Sequence, residues 1–169
     1  MSNSKNIFIL TAILVFSLFA GSLFAQEMGL TNNSRSPYVK LQSVNIGDIS
    51  WTSGFWAERY DVCKNSMVPH MMGNYMDDDI SHAFKNFEIA AGLDEGEHKG
   101  PPFHDGDFYK MLEAEIMVYA QSKDKKMESE IDKIIQVIDK AQRSDGYIHT
   151  PVLIKERNDP SKKHEFANQ

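Results

Sequence analysis

Cysteine is almost missing from this chain. Cys63 is its only thiol in 169 residues, which excludes an intrachain disulfide and any metal site that needs two thiolates from these residues. Clustered positive charge is missing too. Eighteen Lys and Arg stand against 24 Asp and Glu, for a formal net charge of −6, so the surface that would neutralise nucleic-acid phosphates is not there. The one small basic group, Lys123, Lys125 and Lys126, is interrupted by Asp124 and followed by Glu128 and Glu130. It reads as a solvated helix start, and no nucleic-acid partner is expected.

What is present begins with a leader. Lys5 and the free amino terminus form a positive region, Ile7 to Phe19 an apolar one, and Ser22-Leu23-Phe24-Ala25 a small-residue exit. That order reads residues 1–25 as a secretory signal cut before Gln26, with a secreted or periplasmic product. An uncleaved anchor is the other reading of a run this long. Thr11, Ser17, Gly21 and Ser22 dilute it, and no stable membrane association is expected after cleavage. No Cys follows the run, which argues against a lipid-modified amino terminus.

Residues 26–38 are polar and turn-rich, a flexible lead-in, and residues 39–169 read as part of one larger domain. Val39, Leu41, Val44 and Ile46 give a broken alternation that predicts one or two short strands, slipping at Gln42-Ser43. A helix is predicted from Ser53: Trp56, Tyr60, Cys63 and Met67 form one stripe, with its end at Pro69. On that stripe Cys63 reads as a small buried hydrophobe more readily than as a reactive thiol. Met67, Met71, Met72 and Met76 read as core filler. Asp77, Asp78 and Asp79 lack calcium-loop spacing and read as a solvated loop.

The two strongest helices are predicted at Asp107 to Ser122 and Met127 to Gln142. In the second, Met127, Ile131, Ile134, Ile135, Ile138 and Ala141 oppose Glu128, Asp132, Gln136, Asp139 and Lys140. In the first, Phe108, Met111, Leu112, Ile116, Tyr119 and Ala120 share a face that Met117 and Val118 widen. Joined by Lys123 to Lys126, the two form an αα-hairpin, which buries its apolar faces fully only against further hairpins.

His98, His104, Asp105 and Asp107 form the densest polar cluster. Asp105 and Asp107 sit at a helix start, where carboxylates complement the dipole and cap free amides. Their alternative role is to project into a pocket, binding sugar hydroxyls or acting as a general acid. The spacing of His98, His104 and Asp107 matches no recognised metal-ligand pattern. Asp145-Gly146-Tyr147 reads as a turn with a positive-φ glycine, followed by an aromatic able to line a pocket rim. Phe103 and Tyr147 are candidates for stacking on sugar rings.

Four ordered blocks carry a resemblance. They are Gly54-Phe55-Trp56-Ala57-Glu58-Arg59; Asn86-Phe87 with Ala90-Ala91-Gly92; Phe103-x-Asp105-x-Asp107-x-Tyr109-Lys110-x-Leu112-Glu113-Ala114; and Ala141-Gln142-x-x-Asp145-Gly146-Tyr147-x-x-Thr150. Together they resemble the amino-terminal part of the β-L-arabinofuranosidases of glycoside hydrolase family 127 and close relatives. Gly106 stands where that family usually has Ser and Met111 where it often has Trp, the mark of a divergent branch.

The resemblance implies an all-α (α/α)6 six-hairpin toroid, of which only the first hairpins are present, preceded by a short β segment. It implies a secreted glycoside hydrolase acting on arabinose-containing plant glycans, by a retaining mechanism in which a zinc-bound cysteine attacks and a glutamate serves as acid/base. No catalytic residue and no metal ligand is placed in this chain, so the fragment alone is expected to bind no zinc and to be inactive. What carries over is pocket wall: Phe103, Asp105, Asp107, Tyr109, Lys110, Asp145 and Tyr147. Two alternatives stay open. One is another six-hairpin hydrolase, of the unsaturated uronyl type, with Asp105 or Asp107 as general acid; the other is a non-enzymatic secreted helical binding module.

Overall fold

The computed structural model describes residues 31, 35–41 and 43–162, so the expected signal at 1–25 and most of the lead-in lie outside the described residues. The chain divides into two units, 1–48 and 49–169. In the first, the described residues hold a turn at 35–38 and a 3₁₀ turn at Ile46–Asp48, with Thr31 and Ser43 hydroxyls 2.9 Å apart. The strands expected from Val39 to Ile46 do not form among the described residues. A strand needs a neighbour to take its alternate amides and carbonyls, and the apolar residues meant to anchor one, such as Leu41, are exposed.

The second unit is helical among its described residues. Its elements are α1 (Phe55–Val62), a π-helical turn (Cys63–Met67), α2 (Val68–Met76), α3 (Ala83–Ala90), α4 (His104–Ser122), α5 (Lys125–Ala141) and α6 (Thr150–Asn158). Pro69 does not end the first helix, as expected, but sits in the first turn of α2. The wide turn explains it: Val68 N–H donates to the Cys63 carbonyl five residues back, so proline's missing donor falls where the ladder is already displaced. That turn also inserts one residue into the helical register. Instead of Met67 and Met71, which are exposed, Val68 and Met72 one position later are buried. Trp56, the head of the expected stripe, is 67% exposed.

Helices α4 and α5 form the expected hairpin on a link of only two residues. Lys123 closes α4 in the left-handed region at φ 52°, a helix stop that frees the chain to reverse. The Asp124 side chain caps α5 by accepting from the amides of Lys126 at 2.8 Å and Met127 at 3.0 Å. Ile131, Ile134, Val137 and Ala141 bury the inner stripe of α5. On α4 the stripe is Phe108, Met111, Leu112, Glu115 and Val118. Ile116 and Ile135, expected inside, are exposed at 39% and 46%; each lies one residue off the buried stripe, on the flank that periodicity alone cannot resolve. Phe108 is the hub. Its ring lies 5.8 Å from Phe84, 5.5 Å from Phe87 and 6.0 Å from Tyr75, tying α2, α3 and α4 together.

Glu115 is the exception in this core, 2% exposed with its Oε2 unpartnered. Burial, with Glu130 nearby, pushes its carboxyl up to about 7 from 4.5. The folded state then holds a proton that the unfolded chain releases above pH 4.5, so stability falls as pH rises from there to about 7 and is flat beyond. Urea titrations across pH 4.5–8 are expected to show a loss on the order of 3 kcal/mol, and Glu115→Gln to flatten the profile.

Candidate polar site at the start of α4 and α6

Two buried side chains set this site's shape. Asn86, fully buried on α3, donates through Nδ2 to the Lys99 carbonyl at 2.9 Å and accepts from the Lys99 amide at 3.1 Å. That pair pins the 91–103 loop, which carries His98, Phe103 and the start of α4. Gly100 lets the loop turn at φ +94°, where a side chain would be strained, and the His104 ring sits where a Cβ would reach 2.7 Å from Nδ1.

Asp105 makes the second attachment. Its Oδ2 accepts from the Thr150 amide and its Oδ1 from the Thr150 hydroxyl, both at 2.6 Å. Asp105 is 5% exposed and Thr150 fully buried. Asp105 does not cap its own helix, since α4 has no side-chain cap. It caps α6, whose first amides have no partner within the helix. The neighbouring His149 donates through Nε2 to the Pro102 carbonyl at 3.1 Å, a third tie between the same two segments.

Between these attachments, the turn after α5 is closed locally. Gly146 takes φ 87° as the sequence predicts, its amide donates to the Arg143 carbonyl at 2.9 Å, and the Arg143 amide donates to the Tyr147 carbonyl at 3.0 Å. Asp145 accepts from the Tyr147 amide at 3.1 Å and pairs with Arg143. That Arg143 pairing, with the amide, holds the Asp145 carboxyl below its usual range. Arg143 also lies 5.2 Å from the Tyr147 ring centre and 3.3 Å from Glu156, so one ring face is already taken.

The structure thus sorts the candidate residues. Tyr109 lies near Asp105: burial raises its phenol most, and Asp105 adds to this. The Tyr147 phenol is raised by burial first and Glu156 next, with Asp105 a smaller contribution. Asp107 and Lys110 pair with each other at 3.0 Å on the outer side of α4. Phe103 is 61% exposed, and Asp145 holds the turn. Thr150 closes the fourth resemblance block, but neither it nor His149 was among the candidate site residues. A signal existed in Thr150-Pro151, a helix start that leaves a free amide in need of an acceptor.

Three buried polar atoms around Asp105 have no partner: His98 Nε2, His104 Nδ1 and Tyr109 Oη. Burial holds His98 below the usual histidine range, His149, His104 and His82 add to this, and Asp105 opposes it. A neutral imidazole offers one donor and one acceptor, and a protonated phenol both. No group of three His, Cys, Asp or Glu among the described residues is arranged to hold a metal ion.

Comparison with known proteins identifies the family. The profile of the β-L-arabinofuranosidase GH127 catalytic domain matches residues 48–169. A non-reducing end β-L-arabinofuranosidase of Bifidobacterium longum subsp. longum is 33% identical over 124 residues, 64% of this chain and 19% of that protein. A crystal structure of a GH127 β-L-arabinofuranosidase from Geobacillus stearothermophilus T6 superposes with a TM-score of 0.60 at 34% identity, covering 68% of this chain and 18% of that one. The chain therefore spans about a fifth of the length of these relatives.

A double-mutant cycle by chemical denaturation tests the Asp105–Thr150 attachment. Thr150→Val is expected to cost about 1–3 kcal/mol and Asp105→Ala about 3–5 kcal/mol, the larger because it strands two buried donors. The two should couple by about 1–3 kcal/mol, whereas Asp107→Ala should stay within about 0.5 kcal/mol.

Proposed function

The chain belongs to the glycoside hydrolase family 127 β-L-arabinofuranosidase catalytic-domain family, and on that premise we propose that it supplies a wall of a pocket that binds arabinofuranosyl units of plant glycans. One observation carries the reading: His98, His104 and Tyr109 hold unpartnered polar atoms around Asp105. Burial favours the neutral imidazole of His98 and the protonated phenol of Tyr109, groups able to give and take hydrogen bonds with sugar hydroxyls. Phe103, on the exposed lip, offers an apolar ring face.

The wall binds and orients; the reacting groups are other residues of the complete enzyme. Asp105 is poorly suited to be a general acid, because both of its oxygens already accept from Thr150 and little of it meets solvent. Asp107 is engaged by Lys110. That arrangement disfavours the metal-free hydrolase built on either aspartate. The described residues do not assemble a zinc site. Zinc and its cysteine ligands belong, in this reading, to the complete enzyme, as does retention of configuration at the anomeric carbon. We read residues 1–25 as a leader that directs the protein out of the cytoplasm.

Assay on p-nitrophenyl β-L-arabinofuranoside tests the reading. The product of the natural transcript is expected to release nitrophenol and to lose activity with a zinc chelator, while the 169-residue chain releases none. Release by the isolated chain at the same rate would overturn the division of labour. Amino-terminal sequencing of the exported product is expected to begin at Gln26, and a product beginning at Met1 would make the leader an anchor.

A further inference from the structure

A cavity of mixed polar and apolar lining lies away from this wall. It is about 470 Å³, open to one side and bordered by the π-helical turn, the start of α2, the second half of α4 and the first turns of α5. Glu115 forms part of its lining, 2% exposed and with Oε2 unpartnered. Glu130, across from it on α5, is close enough to raise the Glu115 carboxyl. Met72, Met127 and Pro69 supply apolar wall, and Lys64 and Lys126 supply positive charge. Asp124 also lines it, but its carboxyl is occupied in capping α5.

We infer that this cavity binds a single primary alkylammonium group, its N–H donors directed to Glu115 and Glu130 and its aliphatic stem laid against Met72 and Met127. The unsatisfied group is an acceptor, so its complement must donate. A bare divalent ion requires several converging ligands, and no such group is assembled among the described residues. An ammonium brings its own hydrogens and needs fewer partners. The volume exceeds that of one water many times over, room that a carbon stem fills, and thioether walls suit it.

The charges facing Glu115 set the stoichiometry. Lys64 comes from the π-helical turn, Asp124, Lys126 and Glu130 from α5 and its cap, and no charged residue of α3 lines the cavity. These four balance, so ionising Glu115 leaves one net negative charge for one monocation. Binding is therefore linked to loss of the Glu115 proton, held up to about 7 in the empty cavity, and strengthens as pH rises.

Isothermal titration calorimetry of the full chain with n-butylammonium chloride tests this. One saturable site is expected at pH 8, about tenfold weaker at pH 6, and at least tenfold weaker at pH 8 in Glu115→Gln. Glu130→Gln should weaken it several-fold, and Glu113→Gln, on the exposed side of α4, should leave it unchanged. Should Glu115→Gln fail to fold by circular dichroism, the Glu130→Gln variant and the pH series still decide. No saturable heat at pH 8, affinity indifferent to pH and to both cavity variants, or tighter binding of magnesium or tetramethylammonium would each overturn the proposal. Nα-acetyl-lysine methylamide, titrated beside butylammonium, distinguishes a lysine side chain from a free amine as the natural source: tighter binding assigns the former, and weaker binding the latter.

Discussion

Two hydrogen bonds from one threonine to one aspartate hold the polar end of this fold together. Asp105 opens α4 and Thr150 opens α6, 45 residues apart, so their contact closes the chain around the α4–α5 hairpin. Amides at a helix start must find acceptors or stay solvated. Here the acceptor is buried, and it can reach only if α4, α5 and the 142–149 turn all take their observed places. The attachment is thus a condition on the whole arrangement. His98, His104, Tyr109 and Tyr147 are gathered around it, which is why a structural aspartate and a candidate sugar-binding wall share one address.

Asn86 does for the 91–103 loop what Asp105 does for α6. It presents a donor and an acceptor to one backbone residue, and Phe87 beside it enters the aromatic core around Phe108. Loop and core are therefore fixed by adjacent residues of α3. This coupling gives rigid support to the part of the polar wall that lies outside helices, His98 and Phe103. A pocket that must distinguish hydroxyl positions needs such support, because hydrogen-bond recognition fails with displacements well under the length of the bond.

What was legible in the sequence follows from range. The α4–α5 hairpin was, because apolar spacing and an N-cap act within a few residues; so was the Gly146 turn. The partners of Asp105 and Asn86 were not, since no local pattern records a contact 45 or 13 residues away. Glu115 was not singled out, because nothing in apolar spacing marks a carboxyl three residues after Leu112 as buried, and the structure places it inside the buried stripe. The strands failed because alternation states which faces are apolar but not whether a neighbour exists to pair with. The site residues divide the same way, Asp145 being a turn residue by local logic and Asp105 acquiring its role only in three dimensions.

The π-helical turn shows how one local irregularity redistributes an entire surface. Without it, Trp56, Tyr60, Cys63, Met67 and Met71 would share one face. With one residue inserted, Val68 and Met72 turn inward and Met67 and Met71 outward. The wide turn is therefore what gives this helix two apolar faces, one against α3 and α4, the other running from Phe55 and Trp56 through Val62 to Met67 and Met71. A helix apolar on two sides is built to lie between two layers. That is the requirement a ring of hairpins places on its members, and here it is met by a shift of register instead of a change in composition. Lys64 and Asn65 of the same turn also border the cavity that Glu115 lines.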